Sequence, residues 1–304
     1  MGVTTPPVVV HIGFPKTGTT SLQRHFFFDH PNIHSMGKPT VSPAAHAVLE
    51  CLTKPDVSET ELKFAESRFA DIHRPGRVTV LSHESLSQAR YHRPEFGMPL
   101  SERIARVFGS AKVMIGTRSQ VEWLESAYLH HLSPNSHKTI SEFVQEQDRY
   151  DLDYYRLAMS YVSHLGQQNV GIFPLELLSR RPAEYMRRVA EFIGVVPREA
   201  DLSPPHDNLR ISRRYQLYST WRAALPLPGL LRKSHRMVQL VEAFLLRGRR
   251  ASVKIPAELR REIEQKVAPS NSALAAAFAI DLHSLGYPTE DSLPVAPARR
   301  CGTA

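Results

Sequence analysis

The residues with the clearest chemical potential lie near the start of the chain, in Gly13-Phe14-Pro15-Lys16-Thr17-Gly18-Thr19-Thr20-Ser21. They follow an apolar run, Val8-Val9-Val10-His11-Ile12, and lead into Leu22-Gln23-Arg24-His25-Phe26-Phe27. A short buried strand that enters a turn rich in glycine and hydroxyls, and then a helix, leaves backbone N–H groups at the positive end of that helix. Such a turn cradles an anion. Lys16 adds a mobile cation, and Thr19, Thr20 and Ser21 add hydroxyl donors. The ligand expected is a phosphate or sulfate group. The common nucleotide loop, G-x-x-x-x-G-K-[ST], places its lysine after the last glycine and uses the next hydroxyl to hold magnesium. Here Lys16 stands two residues before Gly18, and Thr19 occupies the lysine position.

The elements that must position this loop can be read from periodicity. Short, largely apolar segments at Val8–Ile12, Val78–Leu81, Lys112–Thr117 and Val170–Leu175 read as strands. Between them lie helical patterns: Ser21 to about Asp29, Ser58–Ile72, Ser101–Phe108, residues 121–132, Asp151–Leu165 and Pro182–Ile193, the last ended by Gly194. Residues 33–60, with Pro39, Pro43 and Pro55, and residues 133–150 read as polar connections. Alternating apolar strands and helices predict an α/β protein with a parallel sheet covered by helices on both faces. Beyond Pro197 the strands stop, and helices, basic clusters and prolines follow. The expected organisation is one domain over residues 1–288, with a nucleotide-binding core at about 8–195 and a helical C-terminal part at about 196–288. Residues 289–304 read as a loose tail.

Pro15-Lys16-Thr17-Gly18-Thr19-Thr20 resembles the P-K-[TS]-G-T-[TS] loop that holds the 5′-phosphosulfate in sulfotransferases using 3′-phosphoadenosine-5′-phosphosulfate (PAPS). In that family an Arg at a strand end and a Ser eight residues later, followed by an aromatic, hold the 3′-phosphate. Arg118, Ser126 and Tyr128 resemble that pattern, with Gln120 where the family usually has Pro. Arginine offers phosphate a planar fork of donors, and the serine hydroxyl adds a directed one. Leu175-Glu176-Leu177-Leu178 and the helix ending Glu191-Phe192-Ile193-Gly194 are similar to a further family segment, with Leu175 where some relatives have a Tyr on the nucleotide. Arg247-Gly248-Arg249-Arg250 is similar to the family's 3′ nucleotide loop, with Arg249 as its ligand; a solvated basic turn is the other reading. Asn271-Ser272-Ala273-Leu274 begins a late helix typical of bacterial members. The resemblance implies the P-loop-like three-layer fold, PAPS as sulfuryl donor, adenosine 3′,5′-bisphosphate (PAP) as product, and no metal requirement. Pro15, Lys16, Thr17, Gly18, Thr19, Thr20, Ser21, Arg118, Ser126 and Arg249 are the nucleotide ligands it implies.

Sulfuryl transfer needs positive charge on the leaving oxygen and a base for the acceptor. Lys16 is the candidate for the first. For the base, the second expected strand ends in Leu81-Ser82-His83-Glu84-Ser85, and open α/β sheets place their chemistry at strand carboxyl ends. Ser82-His83 resembles the T-H pair of cytosolic members, whereas Glu84 matches an S-x-E segment of many bacterial ones. Neighbouring residues on an extended segment face opposite ways, so one of the two is expected to enter the cleft. The competing activities are a P-loop kinase or NTPase and a nucleotide- or polyanion-binding protein without catalysis.

Composition sets the limits of this reading. A net charge of +8 suits polyanionic ligands and does not choose among them. No nucleic-acid motif accompanies the basic clusters. Cys51 and Cys301 make no disulfide framework and no paired-cysteine zinc motif, and the histidines lack metal spacing. No apolar run approaches membrane-spanning length and no signal-like N-terminus is present, so a cytoplasmic enzyme is expected, unlike the anchored Golgi members of the family. The acceptor that the resemblance implies is an unidentified small molecule or carbohydrate bearing a hydroxyl or amine, and no nucleic acid is expected as a partner.

Overall fold

The computed structural model describes residues 8–37, 42–74, 76–93, 95, 97–131, 138–147, 150–205 and 252–293. Five strands form one parallel sheet in the order β2-β3-β1-β4-β5. They are β1 (Val8–Gly13), β2 (Ile33–Ser35), β3 (Val78–Ser82), β4 (Ala111–Thr117) and β5 (Val170–Pro174). Every residue of β1 and β3 is buried. Successive strand side chains point to opposite faces, so the sheet is covered on both, as the continuous apolar runs predict. Register brings His11 opposite Ser82 and Gly13 opposite Gly116, which aligns the carboxyl ends of β3, β1 and β4 along one edge of the sheet.

The helices are α1 (Thr19–Leu22), α2 (Pro43–Thr53), α3 (Glu59–Ile72), α4 (Leu100–Phe108), α5 (Gln120–His131), α6 (Ile140–Gln145), α7 (Tyr154–Leu165), α8 (Leu175–Arg180), α9 (Pro182–Ile193) and α10 (Ala257–Phe278). Sequence signals set several of their ends. Ser58 caps α3 in a capping box with Glu61, and Gly194 ends α9 in the left-handed conformation (φ 91°). The amphipathic α9 buries Tyr185, Met186, Val189, Ala190 and Ile193.

The structure corrects the sequence reading in five places. The segment taken as a polar connection over 33–60 contains β2 and α2. A three-residue edge strand carries no periodicity, and Pro43 sits in the first turn of α2, behind its cap Ser42, where proline is compatible with a helix. The second connection contains α6, capped by Thr139. The helix after the loop that follows β1 starts at Thr19 rather than Ser21 and widens into a π-helical turn over Gln23–Phe27. The strand expected to reach Leu175 ends at Pro174, and Leu175 opens α8. Asn271 lies inside α10, well past its start, and the helix continues through Pro269. After α10 the chain stays packed: Leu282, Leu285, Tyr287 and Thr289 are buried.

Candidate anion and sulfuryl-transfer site

The loop after β1 is shaped by what lies beneath it. A Cβ on Gly13 would come within 2.0 Å of Thr19 Cγ2, and one on Gly116 within 3.1 Å of Thr17 Oγ1. The two facing glycines therefore let the loop fold down onto the ends of β1 and β4. Phe14 pins it from inside, fully buried with ring contacts to Trp123, Tyr150 and Tyr154. Such a phenylalanine contributes about 2–3 kcal/mol of transfer free energy. Trp123 of α5 also donates its indole N–H to Pro15 O at 2.8 Å. Gly18 (φ 81°) and Lys16 (φ 68°) both adopt the left-handed region. A left-handed lysine costs about 1 kcal/mol and is held by its surroundings.

The groups on the loop divide into those already bonded and those presented outward. Thr17 is buried, and both its hydroxyl and its N–H donate to Phe14 O (2.6 and 3.3 Å). Ser21 donates to Pro205 O at 3.1 Å. Thr19 is buried and its hydroxyl donates to Glu84 Oε1 at 2.6 Å. Among the described residues, the amides of Gly18, Thr19 and Thr20 have no backbone acceptor and the Thr20 hydroxyl has no hydrogen-bond partner. Burial lowers the Lys16 ammonium's pKa; the Glu84 carboxylate opposes the shift and the Arg118 guanidinium adds to it.

The residues after β3 differ in their roles. His83 caps a 3₁₀ turn over Glu84–Ser87: its Nδ1 accepts from the Ser85 amide at 3.2 Å and lies 2.6 Å from the Ser85 hydroxyl. Glu84 instead reaches the anion loop through Thr19. Beneath both, Ser82 is fully buried. Its hydroxyl accepts from Gln23 Nε2 at 2.9 Å and pairs with His11 Nδ1 at 2.7 Å. Burial pulls the His11 pKa down to about 3, which keeps the ring neutral.

Arg118 follows β4 and connects the second candidate subsite to the first. Its Nη1 donates to Lys16 O at 3.4 Å, its Nη2 lies 3.6 Å from Glu122, and its buried Nε has no partner. Ser126 is half-buried on α5, with Arg118, Glu122 and Ser126 at successive intervals of four. Exposed Glu122 thus places a negative charge on the face between the two expected phosphate ligands. Arg249 lies outside the described residues. Several contacts that support this site join segments far apart in the chain. Glu176 accepts the Ser119 amide at 2.9 Å, Tyr154 donates to Arg118 O at 2.9 Å, and Gln120 pairs with Asn271. Leu175 and Leu178 pack over Gly18, where a Cβ would lie 3.1 Å from each. Among the described residues no group of three His, Cys, Asp or Glu side chains could hold a metal ion, and no helix is long and apolar enough to cross a membrane.

A five-stranded parallel sheet flanked by helices, with a glycine-containing loop after its central strand, defines the P-loop-like class of α/β folds. Within that class the chain has the sulfotransferase fold. It is similar over 93% of its length, and over 99% of the other chain, to a sulfotransferase from Alicyclobacillus acidocaldarius, with a TM-score of 0.54 and 18% identity. It also matches the sulfotransferase domain of the Synechococcus PCC 7002 olefin synthase (14% identity, 92% of this chain, 97% of that one, TM-score 0.44). A third match is mouse sulfotransferase SULT7A1 complexed with PAP (15% identity, 66% of this chain, 62% of that one, TM-score 0.40). No protein-family model and no curated protein sequence matches significantly.

Proposed function

We propose that this protein is a sulfotransferase that moves a sulfuryl group from PAPS to a hydroxyl or amine of a carbohydrate or other small molecule, releasing PAP. The observation that carries the reading is the convergence of three strand ends on one point. Thr19 bonds Glu84, and Arg118 bonds the Lys16 carbonyl, so the loops after β1, β3 and β4 share one cleft. The amides of Gly18–Thr20, the Thr20 hydroxyl and the unpartnered Arg118 Nε fit a nucleotide with anionic groups at both ends of its ribose.

In this reading Glu84 is the base. It takes the acceptor's proton as the acceptor oxygen or nitrogen attacks sulfur, while His83 orders the turn that presents Glu84. The bond from sulfur to the bridging oxygen breaks, its electron pair stays on that oxygen, and the Lys16 ammonium offsets the charge that develops there. A sulfuryl group carries less charge than a phosphoryl group, so the loop amides and Lys16 suffice without magnesium. Arg118 and Ser126 hold the 3′-phosphate. Residues 1–288 act as one catalytic unit.

The test is a thermal-shift comparison followed by a transfer assay. PAP at a hundred times its Kd should stabilise the protein by about 2.7 kcal/mol, with no need for magnesium. Labelled sulfate from PAPS should then appear on a member of an acceptor panel. Stabilisation by ATP only in the presence of magnesium, with no response to PAP, would refute the assignment in favour of a kinase or NTPase. PAP binding without transfer to any acceptor would refute the catalytic part.

A further inference from the structure

Four consecutive residues at the turn from β4 into α5 are each held by a different buried polar group from elsewhere in the chain. The Thr117 hydroxyl lies 3.0 Å from the Tyr287 hydroxyl. The Arg118 carbonyl accepts from Tyr154 at 2.9 Å, and the Ser119 amide donates to Glu176 at 2.9 Å. Gln120 and Asn271 exchange a reciprocal pair of amide bonds at 2.7 and 3.0 Å, and Asn271 also donates to Pro288 O at 2.7 Å. Thr117, Gln120, Tyr154, Asn271 and Tyr287 are all at most 1% exposed. Tyr287, Asn271 and Pro288 O come from α10 and the segment after it, more than 150 positions along the chain from the turn.

Apolar side chains could bury α10 against α5 and α7 just as well. Polar partners inside a core instead select one geometry, because any other leaves a desolvated donor or acceptor unpaired, at about 1–3 kcal/mol each. What the turn carries is Arg118. Its backbone is fixed on both sides, whereas its guanidinium makes only long contacts, at 3.4 and 3.6 Å, and keeps one buried nitrogen without a partner. A rigid mount under a side chain that is not fully bonded is the arrangement a preorganised ligand-binding arginine requires.

We propose that Asn271 and Tyr287 are positioning residues for the anion site: the C-terminal helix and the segment after it set the register of Arg118 without touching the ligand. This rests on Arg118 being a nucleotide ligand, as proposed above. Two measurements test it on the full chain. The first is amide hydrogen exchange in the wild type, Tyr287→Phe and Asn271→Ala. Exchange across 117–121 should rise in both variants while β1 and β3 stay protected. A rise confined to α10 would overturn the proposal.

The second is PAP affinity by calorimetry, with and without Arg118→Ala. Asn271→Ala should weaken PAP about tenfold and Tyr287→Phe a few-fold in the wild-type background, and both by less than about twofold once Arg118 is gone. Equal factors in the two backgrounds, or no change in either, would show that the network only supports the fold. A wild type that does not bind PAP would instead refute the sulfotransferase assignment, and the exchange measurement would still decide the role of the network.

Discussion

Acid should weaken this protein from directly beneath the loop after β1. His11 is 1% exposed, lies on β1, and pairs with Ser82 while its ring packs edge-on against Phe27 at 5.3 Å. Burial lowers its pKa from 6.5 to about 3. Between those values the unfolded chain binds a proton that the native state refuses. The contribution is therefore complete above pH 6.5 and is lost as pH falls from there toward 3. Worked through linkage, the loss from His11 between pH 8 and pH 5 is about 2 kcal/mol, a sizeable part of a stability of about 5–15 kcal/mol.

The cause is burial: the ring lies out of reach of water, so a charge on it would be left unsolvated. His92, drawn down to about 4 by burial, adds a loss of the same sign. The assay is urea unfolding at pH 8, 6.5 and 5 for the wild type and His11→Asn. The variant starts less stable but should lose about 2 kcal/mol less over that range. Carboxylates such as Asp201, whose pKa is lowered, contribute equally to both proteins and cancel. Parallel stability profiles for the two proteins would refute the reasoning.

Three further outcomes follow from the site. Glu84→Gln should lower transfer by about 10²–10⁴-fold while His83→Ala lowers it much less; the reverse ranking in kcat would move the base to His83. Glu122→Gln should tighten PAP several-fold at low salt, with the gain shrinking as salt rises, because it removes the exposed carboxylate 3.6 Å from Arg118; unchanged affinity would place the 3′-phosphate elsewhere. Gly18→Ala should abolish PAP binding in a folded protein, since the position needs φ 81° and its Cβ would press on Leu175 and Leu178; near-normal calorimetric affinity would show that the loop conformation is not needed.

The parts of this molecule legible in its sequence are those where local chemistry dictates local geometry. The short apolar runs of β1, β3, β4 and β5 read as buried strands, and Ser58-x-x-Glu61 reads as a helix start. The glycine and hydroxyl spacing after β1 predicts a turn between a strand and a helix, which the structure has, and the Arg118 guanidinium reaches the backbone of that turn. Relations between distant segments were not legible. Glu176 follows a segment that reads as a strand, and nothing near it in sequence points to the Ser119 amide it accepts from. Gln120 and Asn271 meet across 151 positions, for which no periodicity exists. The sequence could not choose between His83 and Glu84, because their directions depend on a 3₁₀ turn that ties the histidine ring to Ser85. Pro43 misled because a proline reads as a helix breaker unless its place in the first turn is known.

The wide turn at Gln23–Phe27 reconciles two demands that a uniform α-helix would set against each other. The loop fixes the angular phase at which the helix leaves Gly18, whereas the interior fixes the phase at which Phe26 and Phe27 must arrive. The bond from Phe28 N to Gln23 O, five residues back, absorbs one additional residue and so rotates everything after it by about 100°. Gln23 can then face Ser82 while both aromatic rings reach the interior. The inserted residue therefore separates two angular settings, one at the turn leaving Gly18 and one where Phe26 and Phe27 pack, that an unbroken α-helix would tie together.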